Sequence, residues 1–206
     1  MTPRRYGESW LSEQLTRADD RGRLLVAASC AERLFALYEQ YAARAGQGDP
    51  ARLRAALDVA WRAAAGDVDR EQLSEWRQVA EGLVPDEDEE WTDLSAFGEH
   101  AAAAVAYALR TAQTADPREA VWCARQLYEA ADYAAQQQLD ELDLNETGAE
   151  GALADQPVVQ EALAGIAESL EAASTGELTA DDAMALRRRA QDGGRRLAEL
   201  AERDGE

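Results

Sequence analysis

Apolar positions along the chain recur with the spacing of α-helices. Between about Arg23 and Ala45 the apolar residues follow one another mostly at intervals of three or four, which places them on one broad helical face. No segment alternates apolar and polar residues as a half-buried strand does. The pattern predicts an all-α fold, a single compact bundle of about seven to eight mostly antiparallel helices. Besides 23–45, the predicted helices cover about 8–17, 50–65, 69–83 and 94–114, and begin near 117, 157 and 179.

Short sequence signals mark where several of these helices begin. Asp49-Pro50 and Asp116-Pro117 each join an N-cap aspartate to a proline at the first helical position. Thr179 and Asp182 have the spacing of a capping box, in which each residue binds the backbone N–H of the other. Inside the last helix, Gly193-Gly194 is expected to weaken or bend the backbone, because glycine is a poor helix former. The acidic stretch from Asp140 to Glu150 is predicted to be a loop.

The predicted domain organisation is simple. The 206 residues are enough for one domain with its own core and too few to require two. We therefore expect one helical domain over 1–206, closed by a C-terminal helix within 176–206. Trp61, Trp76 and Trp122 lie on the apolar faces of their helices and are predicted to belong to the core.

Charge is distributed unevenly, and this changes the picture of function. The net charge is −20, and all 21 basic residues are arginines. Residues 1–77 are neutral overall, whereas 78–186 hold twenty-four carboxylates against three arginines. This middle region repels nucleic-acid phosphates and anionic membrane surfaces, and it attracts a basic protein face, polyamines or metal ions. We expect a basic protein partner, with no nucleic acid and no membrane.

The N-terminal sequence and the cysteines indicate a cytoplasmic location. The first residues are not followed by the apolar segment of a secretory signal, and no apolar run approaches the ~20 residues of a membrane span. Cys30 and Cys123 are far apart and lack the spacing of a metal or redox motif. Both are therefore predicted to be free, buried thiols in a reducing compartment.

The usual catalytic and metal-binding patterns are not found in the sequence. The one histidine, His100, has Phe97 rather than a carboxylate three residues before it, so the Glu-x-x-His pairs of di-iron bundles are absent. A calcium loop starting at Asp86 would place Trp91 where glycine is needed and Phe97 where glutamate is needed. No GxSxG motif occurs. We predict no catalytic residues, no metal and no cofactor, which favours a non-enzymatic role.

Several short motifs occur in an order that resembles a known family. They are Cys30-Ala31-Glu32-Arg33 with Tyr38, Leu57-Asp58 with Trp61, the acidic segment after Pro85, the small residues 101–106, and Pro157-Val158-Val159 with Glu161. Their order resembles the YjaG-like family of bacterial all-helical domains of unknown function. The resemblance covers a core of about residues 8–175. It implies an all-α fold and a cytoplasmic bacterial protein, and it implies no activity.

The acidic segment after Pro85 is the predicted site of partner binding. Five carboxylates occupy five consecutive positions, and a tryptophan that offers apolar contact follows them. The predicted partner-binding residues are Asp86, Glu87, Asp88, Glu89, Glu90, Trp91 and Asp93. They favour a non-enzymatic protein-binding module with an acidic surface, in an immunity or adaptor role.

Two alternatives remain open at this stage. The first is an enzyme, or a binder of small ligands or divalent cations, with a carboxylate-lined pocket between helices. The second is a structural homo-oligomer that associates through an alanine-rich face.

Overall fold

The computed structural model describes residues 4–85, 93–139, 148–174 and 179–202, and the regular structure in these ranges is entirely helical. The predicted all-α fold is confirmed. The helices are α1 Glu8–Arg17, α2 Asp20–Ala45, α3 Pro50–Ala64, α4 Arg70–Glu81, α5 Asp93–Thr114, α6 Pro117–Gln138, α7 Ala149–Ala154, α8 Pro157–Ala173 and α9 Ala180–Ala201. None of these helices has an apolar stretch long enough to cross a lipid bilayer.

One helix lies where the sequence predicts a loop. The six residues of α7 overlap the acidic stretch that ends at Glu150, and they bring the helices of the described ranges to nine. Gly148, with a φ of 106°, precedes α7. A helix of fewer than two turns is too short to show a periodic apolar pattern, so the sequence signal for α7 is weak.

The predicted helix starts are confirmed by the capping hydrogen bonds. The Asp49 carboxylate accepts from the backbone N–H of Arg52 at 3.0 Å, and the Asp116 carboxylate accepts from that of Arg118 at 2.9 Å. Thr179 and Asp182 form the reciprocal capping box of α9. These side chains satisfy N–H groups that have no partner inside the helix, so each helix begins at its capping residue.

The second helix is the centre of the fold. α2 packs against α3, α5, α6, α8 and α9. Every residue from Leu24 to Phe35 is buried, on all sides of the helix rather than on one face. Small residues make this crowding feasible, because many of the alanines of α5 and α6 are buried and allow close approach. Two charged residues, Glu32 and Arg33, lie within this buried segment of α2.

The paired glycines of α9 serve helix packing. α9 runs without a break through Gly193 and Gly194, and both glycines are buried. A Cβ added at Gly194 would lie 2.8 Å from the backbone oxygen of Arg33 and 3.1 Å from its Cα. Because these are backbone atoms of the central helix, they have little freedom to move away. Gly194 therefore allows α9 to approach α2 closely.

We expect Gly194→Ala to destabilise the fold although alanine is the better helix former. The added methyl overpacks α2 and should lower the free energy of unfolding by about 1–3 kcal/mol. The gain in helix propensity is at most about 1 kcal/mol. The matched control is Gly151→Ala in α7, where nothing lies within 4 Å of the added Cβ. Urea unfolding measures both variants, and a Gly194→Ala protein at least as stable as the unmodified chain would contradict this packing.

The tryptophans divide between core and surface. Trp61 is 7% exposed, which confirms its predicted place in the core, and Trp76 packs partly buried against the core. The prediction for Trp122 is wrong, because its side chain is 37% exposed. Its neighbours Val121 and Cys123 point into the core, so Trp122 lies at the edge of the buried face and contacts the ring of Tyr107 instead.

Both cysteines are free and buried, as predicted. The Cys123 thiol lies 3.1 Å from the backbone oxygen of Ala27 and 3.2 Å from that of Ala104. Burial raises the pKa of Cys30 to about 12. Both thiols therefore stay protonated and unreactive inside the core.

Candidate functional site

The predicted partner-binding segment lies almost entirely outside the described residues. Asp86, Glu87, Asp88, Glu89, Glu90 and Trp91 fall between Pro85 and the start of α5, and Asp93 is described only as the first residue of that helix. Its role stays a prediction. Among the described residues, other polar side chains do converge, and many of them already have hydrogen-bond or ion-pair partners within the chain.

Glu32 of α2 is a buried charged residue and is only 2% exposed. Arg54 donates to its Oε1 at 2.5 Å, and the indole N–H of Trp61 donates to its Oε2 at 2.7 Å. Gln191 of α9 donates to Oε1 at 3.2 Å. Arg187 of α9 brings its Nε to 3.3 Å from Oε2, an ion pair without hydrogen-bond geometry. Both oxygens of Glu32 are therefore occupied by donors from α3 and α9.

The two arginines that pair with Glu32 also lie near aromatic rings and a second carboxylate. The guanidinium of Arg54 lies over the Phe35 ring, 3.6 Å from its centroid, and that of Arg187 lies 5.8 Å from the Trp61 ring. Arg187 forms a further ion pair with Asp58 of α3. We call the set Glu32, Arg54, Asp58, Trp61, Arg187 and Gln191 the Glu32 cluster.

Arg33 ties the same helix to a different neighbour. Arg33 is 2% exposed, and its guanidinium forms an ion pair with Glu168 of α8. Glu168 also forms an ion pair with Arg189 at 2.7 Å. A Cβ at Gly165 would lie 2.5 Å from the Arg33 Nε, and one at Gly193 would collide with Nη1. The arginine therefore occupies space left by glycines of α8 and α9. Among the described residues its Nε has no hydrogen-bond partner.

These contacts bring together residues that the sequence motifs separate widely. Glu32 and Arg33 come from one motif, and Asp58 and Trp61 from another. Because donors occupy both oxygens of Glu32, neither is placed to take a proton from a bound molecule. The geometry assigns the Glu32 cluster to holding α2, α3 and α9 together. The family motif thus marks a structural centre.

The one histidine is also engaged in a contact between helices. His100 Nδ1 of α5 lies 2.9 Å from the Gln126 side-chain oxygen of α6. Within the described residues, no group of three or more histidine, cysteine, aspartate or glutamate side chains is placed to hold a metal ion.

Tyr6 lines two cavities. The first has a volume of about 460 Å³ and lies between α1 and α8, with Leu11, Leu163 and Ile166 among its lining residues. The second, about 520 Å³, lies beside α6 and α7, and its lining residues include Asp132, Glu150 and Arg5. The Tyr6 ring stacks on that of Tyr128 with centroids 4.3 Å apart, and burial raises the Tyr6 pKa.

Most arginines of α9 form ion pairs inside the fold. Arg187 pairs with Asp58 and Glu32, Arg189 with Glu168, and Arg196 with Glu161. Elsewhere most of the described arginines also pair with carboxylates of the same chain. The arginines therefore offer little free positive charge to offset the surplus of carboxylates.

Comparisons with known proteins agree with this fold. Residues 11–196 match the model of a family described as "Protein of unknown function (DUF416)", and the match extends into α9. A similar solved structure is the 1.91 Å crystal structure of a DUF416 family protein from Shewanella baltica OS155. It has a TM-score of 0.76 and 17% identity, covering 88% of this chain and 93% of that chain, which shows a common fold. No curated protein matches significantly. The name YjaG-like stays a prediction.

Proposed function

This chain belongs to the DUF416 family, and we propose that it is a non-enzymatic protein-binding module whose acidic surface meets a basic partner. Its place is the bacterial cytoplasm, in an immunity or adaptor role. The observation that carries the proposal is that the arginines form ion pairs within the chain. Most of those described already pair with a carboxylate, while the chain retains a net charge of −20.

The unbalanced charge is concentrated at two places in the sequence. Five carboxylates occupy 86–90, between α4 and α5, and four more occupy 140–146, between α6 and α7. No arginine occurs between Arg77 and Arg110. Clustered like charges repel each other, and a basic partner relieves that repulsion. In the first segment Trp91 supplies apolar contact, and Asp93 adds a further carboxylate at the start of α5.

Electrostatic attraction predicts a specific kinetic signature for this binding. A partner is first identified by pull-down from the native cytoplasm, and its association with the purified chain is then measured. We expect fast association at low salt and marked slowing between about 0.05 and 0.5 M salt, because the screening length falls below ~10 Å in that range. The 86–90 variant, in which all five carboxylates are neutralised, should slow association about tenfold at low salt. It combines Asp86→Asn, Glu87→Gln, Asp88→Asn, Glu89→Gln and Glu90→Gln.

A variant with the same change in charge elsewhere provides the control. This control removes five carboxylates that form no ion pair within the described residues. Its substitutions are Glu39→Gln, Asp67→Asn, Glu71→Gln, Glu75→Gln and Glu171→Gln. If this control slows association as much as the 86–90 variant does, net charge rather than the segment is responsible. Unchanged kinetics and salt dependence in the 86–90 variant reject the segment as the docking site, and the test moves to 140–146.

A second candidate function rests on the cavity beside α6 and α7. Asp132 and Glu150 line its wall, and neither forms an ion pair with an arginine of the described residues. Asp132 accepts from the Tyr128 hydroxyl at 3.5 Å and from Gln136 at 2.7 Å, and the lining arginine, Arg5, is paired with Asp155. The two carboxylates therefore keep the wall negative, which suits a small cationic ligand. Calorimetric titration with spermidine and with Mg²⁺ distinguishes this role from protein binding. Saturable binding that is lost in Asp132→Asn would favour it.

The third alternative, association through an alanine-rich face, receives little support. Ala101, Ala102, Ala104 and Ala108 of α5 are buried inside the fold. The alanines of that helix are therefore used to pack α5 against its neighbours.

A further inference from the structure

We propose that the cavity between α1 and α8 binds a small organic anion with an apolar body, such as a medium-chain carboxylate. This inference is independent of the acidic segments, because the cavity is lined by other residues. It concerns the first cavity beside Tyr6, of about 460 Å³, which lies within the usual size range of small-molecule sites.

The cavity arises from the way three helices meet. α1 and α8 both pack against α6, and they leave a gap between them. Leu11 of α1 lies on one side of the gap, and Leu163 and Ile166 of α8 lie on the other. All three are core residues, so the floor is formed by side chains that are already fixed. A firm apolar floor suits an apolar ligand, because binding does not require the floor to reorganise.

The segment before α1 forms one edge of the cavity and is held in place. The Gln160 side chain accepts from the backbone N–H of Arg4 at 2.8 Å and donates to its backbone oxygen at 2.9 Å. Arg5 pairs with Asp155 at 2.6 Å. Tyr6 lines the cavity and stacks on Tyr128. The backbone that carries Arg4 is thus fixed at the cavity edge.

Charge complementarity indicates that the ligand carries a negative charge. Arg4 and Arg5 both line this cavity, and none of the described carboxylates forms an ion pair with Arg4. In a chain of net charge −20 most of the surface repels anions, so the unpaired Arg4 beside an apolar cavity creates a local exception, whereas the charge of Arg5 is offset by Asp155. Trp10 also lines the cavity and is 53% exposed, which leaves an indole face for the apolar body to cover. A carboxylate at Arg4 with its chain along Trp10 satisfies both features.

The test compares an anion with a neutral molecule of the same shape. Titration calorimetry with octanoate should give saturable binding at one site per chain, and 1-octanol should bind more weakly. Arg4→Gln should weaken octanoate about threefold or more and leave 1-octanol unchanged, because only the carboxylate interacts with the lost charge. Arg70→Gln removes an exposed arginine of α4 remote from the cavity lining and should change neither affinity.

A second pair of variants tests the location of the site. Ala167→Trp places a large side chain in the cavity wall and should abolish octanoate binding, whereas Ala51→Trp on the exposed side of α3 should preserve it. Thermal unfolding verifies that each variant is folded, and if Ala167→Trp fails to fold, the Arg4→Gln comparison decides alone. Absence of saturable binding overturns the proposal. So does octanoate binding that neither Arg4→Gln nor a folded Ala167→Trp changes.

Discussion

Replacing Glu32 with glutamine will lower the free energy of unfolding by about 3 kcal/mol, the lower end of the range for breaking a buried ion pair. The carboxylate is 2% exposed and meets Arg54, Arg187 and the Trp61 indole. An uncharged amide leaves the Arg54 guanidinium without its buried counter-charge and leaves Arg187 paired with Asp58 alone. The lower end applies because each arginine side chain is 29% exposed, so water solvates part of the charge that is left.

Urea or thermal unfolding measures this loss, and the control is the same substitution in an exposed ion pair. Glu13 pairs with Arg17 on α1, and its side chain is 64% exposed. Glu13→Gln should therefore change the free energy of unfolding by less than about 1 kcal/mol. If Glu32→Gln costs no more than Glu13→Gln, the Glu32 cluster does not stabilise the fold, and its burial needs another explanation.

Trp61→Ala will have an effect at least as large, about 3–5 kcal/mol, because it removes a buried aromatic ring and leaves a cavity. Trp61 is 7% exposed and packs in the core that α2, α3 and α5 share, in addition to its hydrogen bond with Glu32. The variant also takes one donor from the Glu32 carboxylate. Chemical unfolding monitored by circular dichroism gives the loss directly.

Two further variants separate packing from hydrogen bonding. Trp61→Phe keeps most of the ring but loses the indole N–H, so it should cost less than Trp61→Ala, with about 1–3 kcal/mol from the lost bond to a charged acceptor. Trp10→Ala removes an indole that is 53% exposed and should change stability by less than about 1 kcal/mol. A Trp61→Ala variant that resembles Trp10→Ala would mean that Trp61 faces solvent.

The helix boundaries were predictable because they depend on local chemistry. An N-cap carboxylate acts on backbone N–H groups two or three residues away, so Asp49, Asp116 and Thr179 can be recognised without knowledge of the fold. The interiors of α1 to α6 follow from periodicity for the same reason. α7 was missed because six residues are too few for a period to appear.

The buried charges were not predictable from the helical pattern. Glu32 and Arg33 fall off the apolar stripe of α2, and a pattern based on one buried face assigns them to solvent. They are buried because five helices surround α2, which is a property of the whole fold. One indirect signal existed. Gly193-Gly194 interrupts a strong helix at positions where glycine weakens it, and such glycines mark a close approach of another backbone.

The predicted partner-binding segment depends on information that helical periodicity does not contain. Its carboxylates define a charge density along the sequence, which is legitimate evidence about solubility and association but specifies no geometry. The prediction of one domain over 1–206 likewise rests on length and composition. Both stay predictions that the binding and unfolding experiments address.

The position of α2 at the centre has a consequence for the order in which the chain matures. Synthesis produces Glu32 and Arg33 early, but Glu168 lies 135 residues beyond Arg33, and Gln191 lies 159 residues beyond Glu32. Contacts of such long range are unusual for a helical protein, where neighbours along the chain normally dominate. Until Ala180–Ala201 has been made, Glu32 has only its partners from α3, and the side of α2 that α9 covers stays open. A nascent chain of this protein therefore carries an incomplete core through most of its synthesis. Partly folded chains of this kind expose apolar surface, which favours aggregation and binding by chaperones.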